Sequence, residues 1–121
     1  MSVFDKMRDT EREVSRFFQD LGVWWVYEYP MFLRDERDRP RVWAPDFYLP
    51  DLGLYVEVCG SSEFDYEYRR KIYELNNREV VFLHLYEDEE KWKYFFVQRA
   101  REIHEKRNDK INLMLEKARS I

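Results

Sequence analysis

The chain has 121 residues, of which 45% are hydrophobic, 18% aromatic and 38% charged, with a formal net charge of −4. Such a composition specifies one domain with a real core, excludes a disordered chain, and argues against indiscriminate binding to nucleic acid. The lone Cys59 excludes an internal disulfide and points to a reducing, cytoplasmic setting; no apolar run has membrane-spanning length, and Met1–Lys6 lacks a secretory apolar core.

Phe4, Met7, Val14, Phe18 and Leu21 recur at helical spacing and stop at Gly22, which predicts a first amphipathic helix. Glu11 falls on its apolar stripe, three residues before Val14 and four after Met7. Glu13 lies about 160° further round the helix, where Thr10-x-x-Glu13 reads as a capping box. A carboxylate on the buried side needs a partner, so Glu11 is the functional candidate of the two.

Val23–Tyr29 is β-branched and aromatic and ends at Pro30, as a strand does, with Glu28 at its end. Residues 33–41 read as a charged loop carrying Arg34, Arg37, Arg39 and Arg41, closed by Pro40 before a Val42-Trp43 strand. Ala44–Leu49, Pro50-Asp51-Leu52-Gly53 and Leu54–Gly60 read as strand, tight turn, strand, with Pro50 presetting φ and Gly53 finishing the turn. Alternation puts Tyr55, Glu57 and Cys59 on one face of the second strand and Leu54, Val56 and Val58 on the other. An antiparallel hairpin then brings Asp46 level with Glu57. Two carboxylates at the middle of a small apolar sheet repel each other and resist burial unless a cation joins them.

Beyond Gly60 a helix runs from about residue 64 or 65 to Asn76, capped by Ser62 or Asp65, with Tyr68, Ile72 and Leu75 as its buried stripe and Lys71 on the same side. Val80–Tyr86 is a further strand in which His84 reads as a core or edge histidine; His104 reads as a helix-surface residue. From residue 88 the chain is helical, with Trp92, Phe95, Phe96, Arg99 and Ile103 facing the core. A break is expected at Asn108-Asp109, followed by a second helix with Ile111, Met114, Leu115 and Ala118. That terminal helix packs either on its own domain or on a second copy of the chain, as a homodimer.

Charge is unevenly distributed. Val42 to Tyr68 holds six acids and no Lys or Arg, while basic residues gather at 34–41, at Arg69-Arg70-Lys71 and from Arg99 to Arg119. An acidic centre with basic flanks suits a metal-dependent enzyme acting on phosphodiesters. Heavy charge with few Gln, Thr and Gly points to a heat-adapted source.

Pro45-Asp46-Phe47, a short turn and Glu57-Val58-Cys59 together resemble the PD-(D/E)XK nuclease superfamily. The resemblance covers roughly residues 10–86 and implies a restriction-endonuclease-like α/β (α+β) core, a central mixed sheet flanked by helices. Residues 88–121 would be a C-terminal helical extension of this single domain, 1–121. It further implies Mg2+ or Mn2+ bound by Glu11, Asp46, Glu57 and the backbone carbonyl of Val58, and cleavage of nucleic acid, DNA first. Where the family has Lys, this chain has Cys59: a buried small hydrophobe, a ligand for a softer metal, or the mark of a site that has lost its chemistry. Some branches of the superfamily carry the lysine on the following helix, and Lys71 matches that place. Arg69, Arg70, Arg39 and Arg41 would then be phosphate contacts. The competing class is a catalytically degenerate module on the same fold that binds nucleic acid or a protein partner; a third is an assembly protein using the helical tail.

Overall fold

The computed structural model describes residues 2–121. The chain is α+β: three helices, α1 (Asp9–Asp20), α2 (Glu67–Leu75) and α3 (Glu89–Ser120), surround a mixed four-stranded sheet. Its strands are β1 (Val26–Tyr27), β4 (Phe47–Leu49), β5 (Leu54–Cys59) and β6 (Val80–His84), in the spatial order β1-β4-β5-β6. β1, β4 and β5 pair antiparallel, and β6 joins β5 in parallel after the α2 crossover. A separate two-stranded hairpin is made by β2 (Met31–Arg34) and β3 (Pro40–Trp43).

Strand alternation sorts the core into two layers. Phe47, Leu49, Leu54, Val56, Val58, Val81 and Leu83 pack with Val14 and Phe18 of α1 and with Trp92, Phe96 and Ile103 of α3. Cys59 and Phe82 point the other way, into a smaller cluster with Met31 and Leu33 of the hairpin and Ile72 and Tyr73 of α2. Every buried position of β5 thus follows the expected alternation. The β4–β5 turn closes as its sequence dictates: Gly53 takes φ 61° and its N–H donates to the Leu49 carbonyl at 2.8 Å.

Several expectations need correction. The strand expected over 23–29 is reduced to Val26–Tyr27, because Glu28 turns to φ 54° and the chain leaves the sheet there. The expected charged loop over 33–41 is shorter, residues 35–39, because Leu33, Arg34, Pro40 and Arg41 belong to the β2–β3 ladder. α1 begins at Asp9, leaving Phe4 in a preceding 3-10 turn and Leu21 exposed at the helix end. Its capping interaction belongs to Glu11, whose carboxylate accepts from the Arg8 N–H at 2.9 Å, and not to Glu13. On α2, Tyr68 and Leu75 are exposed and the buried pair is Ile72 and Tyr73. α3 is continuous through Asn108-Asp109: neither residue breaks a helix outright, each costing less than about 0.7 kcal/mol relative to Ala.

Candidate functional site

Register decides the geometry of the acidic centre. Phe47 pairs with Val56, so Asp46, one residue before β4, stands opposite Glu57. β4 has ended there, and the N–H of Val58 would lose its ladder partner. The Asp46 carboxylate takes that place, its Oδ2 accepting from Val58 N at 2.7 Å, while the Asp46 N–H donates to Glu57 Oε1 at 3.2 Å. The two carboxylates are thereby held across the hairpin mouth, that of Glu57 by the Asp46 N–H and that of Asp46 by the N–H of Val58, the residue after Glu57. The Val58 carbonyl points to the same side of the strand as its N–H.

α1 supplies a third acid. Glu11 is 2% exposed and lies within hydrogen-bonding reach of Asp46. It also accepts from Arg8 Nε at 3.1 Å and from the Tyr27 hydroxyl at 3.1 and 3.3 Å. Asp46, just before β4, is thus the acid that neighbours both Glu57 of β5 and Glu11 of α1.

Their protonation differs because their cations differ. Burial acts to raise Glu11, but the Arg8 amide, Asp46 and the Arg8 guanidinium together hold it below the usual carboxylate value. Glu57 is 7% exposed; burial pushes it up, and Arg69, whose Nε lies 2.6 Å from Oε2, opposes this only in part. Among the described residues Asp46 makes no ion pair with a basic side chain. Burial, then the charge of Glu57, push it up to about 8, although the Val58 N–H favours the ionised form. A half-buried carboxylate between two others, short of one positive charge, is the electrostatic signature of this centre.

The basic residue on α2 that reaches the acids is Arg69. Its guanidinium bonds Glu57, donates from Nη2 to the Tyr73 hydroxyl at 2.9 Å, and lies 4.6 Å from the centre of the Trp43 ring. Lys71 is exposed two residues along, on the side of α2 away from the sheet, so the structure does not bring it to the carboxylates. The reason is the helix phase: Ile72 and Tyr73 set the inward face, and Arg69 shares it at i−3 and i−4. The sequence held this signal in Arg69-x-x-Ile72-Tyr73, masked by exposed Tyr68 and Leu75 with the look of a core stripe.

Other candidates fall outside this cluster. Arg39 and Arg41 both direct Nε to Asp35 Oδ2, at 2.9 and 3.0 Å, and close the β2–β3 hairpin. Burial works against ionising Asp35, yet the Arg39 amide, Arg41 and the Arg37 amide hold it well below the usual range. Arg70 sets its guanidinium 4.8 Å from the Phe82 ring centre, beside the acidic centre and not in it. Cys59 is fully buried, and burial, then Glu57 and Asp46, push its thiol up to about 12. It is a small hydrophobe here, since metal ligation and nucleophilic attack both need the thiolate. His84 is half-buried at the sheet edge, its Nδ1 2.9 Å from the Tyr86 hydroxyl.

Among the described residues, no group of three His, Cys, Asp or Glu side chains is placed to hold a metal ion. Glu11 is clamped by Arg8 and Tyr27, and Glu57 is shared with Arg69. The chemistry of the donors still fits a hard divalent cation: all are carboxylate oxygens, and Mg2+ is commonly held by only one or two carboxylates plus water and substrate phosphate. Also among the described residues, no helix is long and apolar enough to cross a membrane. No family model matches the chain, and no curated protein or solved structure matches it.

Proposed function

We propose that the chain is a divalent-metal-dependent nuclease with a restriction-endonuclease-like core, hydrolysing phosphodiester bonds of DNA. The observation that supports this reading best is Asp46: a half-buried carboxylate set against Glu57 across the hairpin mouth and pushed up to about 8, wanting a cation. Asp46 and Glu57, with the Val58 carbonyl, would hold Mg2+ or Mn2+, which supplies Lewis acidity and a bound water of lowered pKa.

The protein groups have separable tasks. Asp46 would hold the cation as a carboxylate, its proton passing to solvent. Glu11 is a positioning residue: it meets Asp46 and is itself fixed by Arg8 and Tyr27. Arg69, in place of the expected Lys71, lies at Glu57 with a guanidinium of the right charge to hold a non-bridging phosphate oxygen and to stabilise charge developing on it.

A second reading is favoured by one contact. The 2.6 Å Arg69–Glu57 ion pair satisfies a ligand oxygen internally, as expected of a module that binds nucleic acid or protein and has given up cleavage. Incubation of the parent, Asp46→Asn and Glu57→Gln with single-stranded, duplex and branched DNA plus Mg2+ or Mn2+ separates the two. The nuclease reading expects cleavage by the parent alone. Variants that cut as well as the parent, or a parent that cuts nothing and binds no Mn2+ at millimolar concentration, refute it.

A further inference from the structure

One residue along α2 from Arg69, a second feature begins. Arg70 lies against Phe82 and lines a cavity of about 110 Å³ beside β6, with Arg78 and Arg99. The Arg70 Nε is buried without a hydrogen-bond partner, its nearest acid being Glu67 at 3.5 Å. At about 30 Å³ per water, the cavity has room for roughly three to four water-sized groups, the scale of one phosphate.

The cavity shares Glu74, Arg78, Glu79 and Arg99 with a groove of about 800 Å³ between the start of β6 and α3. Lys106, Arg107 and Lys110 add to its positive charge. Two of these cations are already paired, Lys106 with Glu79 at 3.5 Å and Arg99 with Glu102 at 3.2 Å, which leaves Arg78, Arg107 and Lys110 against Glu74. Arg107 donates to the Leu52 and Gly53 carbonyls, contacts that hold it in place without neutralising it. β6 is the edge of the sheet, hydrogen-bonded to β5 alone, so alternate backbone N–H groups face outward along this side. On an acidic protein, this concentration of basic groups in one concavity is out of proportion to the surface.

The groove also meets an aromatic row. Tyr55 lines it, its ring 4.7 Å from Tyr48, which in turn stacks on Tyr29 at 5.2 Å. Basic grooves joined to aromatic platforms suit single-stranded nucleic acid, whose phosphates follow the charge while unpaired bases stack. A free phosphate would fill the cavity but leave the longer groove and the tyrosines unused.

We infer that the β6-edge groove, from Arg70 past Arg78 and Arg99 to Lys110 with Tyr55 at its rim, binds a single-stranded nucleic-acid segment. The inference takes from the proposed function only that the substrate is a phosphodiester strand. It is tested in EDTA, where metal chemistry is silent, so its failure and the failure of the nuclease reading are distinguishable.

The experiment is fluorescence anisotropy of a labelled single-stranded oligonucleotide across a salt series, for the parent, Arg70→Gln, Arg78→Ala/Lys110→Ala and Tyr55→Leu. Each lost phosphate contact should lower the magnitude of the log K against log salt slope by about 0.7 and weaken binding equally across sequences. Tyr55→Leu should weaken binding about tenfold with the salt slope unchanged, the signature of lost stacking. Arg78 and Lys110 are exposed, so that pair of changes reports binding independently of folding. Unchanged affinity and slope in the charge variants overturn the inference. So does duplex binding as tight as single-strand binding, or displacement of the oligonucleotide by inorganic phosphate at micromolar concentration.

Discussion

Asp46 illustrates how one side chain couples stability to pH. Its folded pKa, about 8, lies above the ordinary 3.8, so between these values the folded chain binds a proton that the unfolded chain has lost. Stability contributed here is complete below the unfolded value and is lost as pH rises towards 8. Asp46→Asn keeps an acceptor for the Val58 N–H and removes the titration. It should stabilise the metal-free protein at pH 8 by at least about 1.4 kcal/mol, the worth of one pKa unit, and flatten the pH dependence of thermal unfolding. A variant less stable than the parent at pH 8 would show that Asp46 is already charge-compensated. Arg69 behaves in the opposite way: Arg69→Met leaves Glu57 buried without its cation and should cost about 3 kcal/mol in chemical denaturation. Arg69→Lys should retain part of the stability but lose the Tyr73 bond and the Trp43 contact. An unaltered midpoint for Arg69→Met would remove the ion pair from the account.

The hairpin of β4 and β5 was legible because every local preference agrees: Pro50 and Gly53 fix the turn, and alternation then fixes the faces of Val56, Glu57 and Val58. The burial of Glu11 was legible from its place on the apolar stripe, though not its capping bond to the Arg8 N–H, which the Thr10-x-x-Glu13 spacing assigned to Glu13. α2 was not. Its aromatic and aliphatic residues exceed what its inward face can hold, so Tyr68 and Leu75 stay outside and the phase of the helix could not be fixed from hydrophobicity. The reach of Arg69 depends on that phase, and so the identity of the cation at Glu57 was hidden as well. The strand at 23–29 and the one at 42–43 were expected, but their true extents were not legible, because both turn on backbone geometry, the positive φ of Glu28 and the anchoring of residues 35–39 by Asp35, which composition does not report.

Three helices and two small sheets are held together by a few long-range ties, of which α3 makes the most distant. Trp92, Phe96 and Ile103 dock it on the sheet, and Arg107 clasps the β4–β5 turn through two carbonyls, each at 2.6 Å. Arg107→Ala should destabilise the fold by about 2 kcal/mol, read from the urea midpoint, because hydrogen bonds from a charged donor are lost. A midpoint matching the parent's would make the clasp ornamental. Beyond Arg107 the helix leaves the domain, with Ile111, Leu113, Met114 and Leu115 all more than half exposed. If a second copy covers this stripe, sedimentation should give a dimer that dissociates on deletion of residues 108–121. A parent that sediments as a monomer at tens of micromolar would set the homodimer aside.

The acidic centre itself is decided by crystals soaked in Mn2+ and measured at the manganese absorption edge. A metal held by Asp46 and Glu57 predicts an anomalous peak between their carboxylates, on the side where the Val58 carbonyl points, and no such peak in Asp46→Asn crystals. Crystals of the parent that show no peak there at millimolar Mn2+, with Arg69 still seated on Glu57, would contradict the metal site and leave a binding module whose acids are neutralised from within.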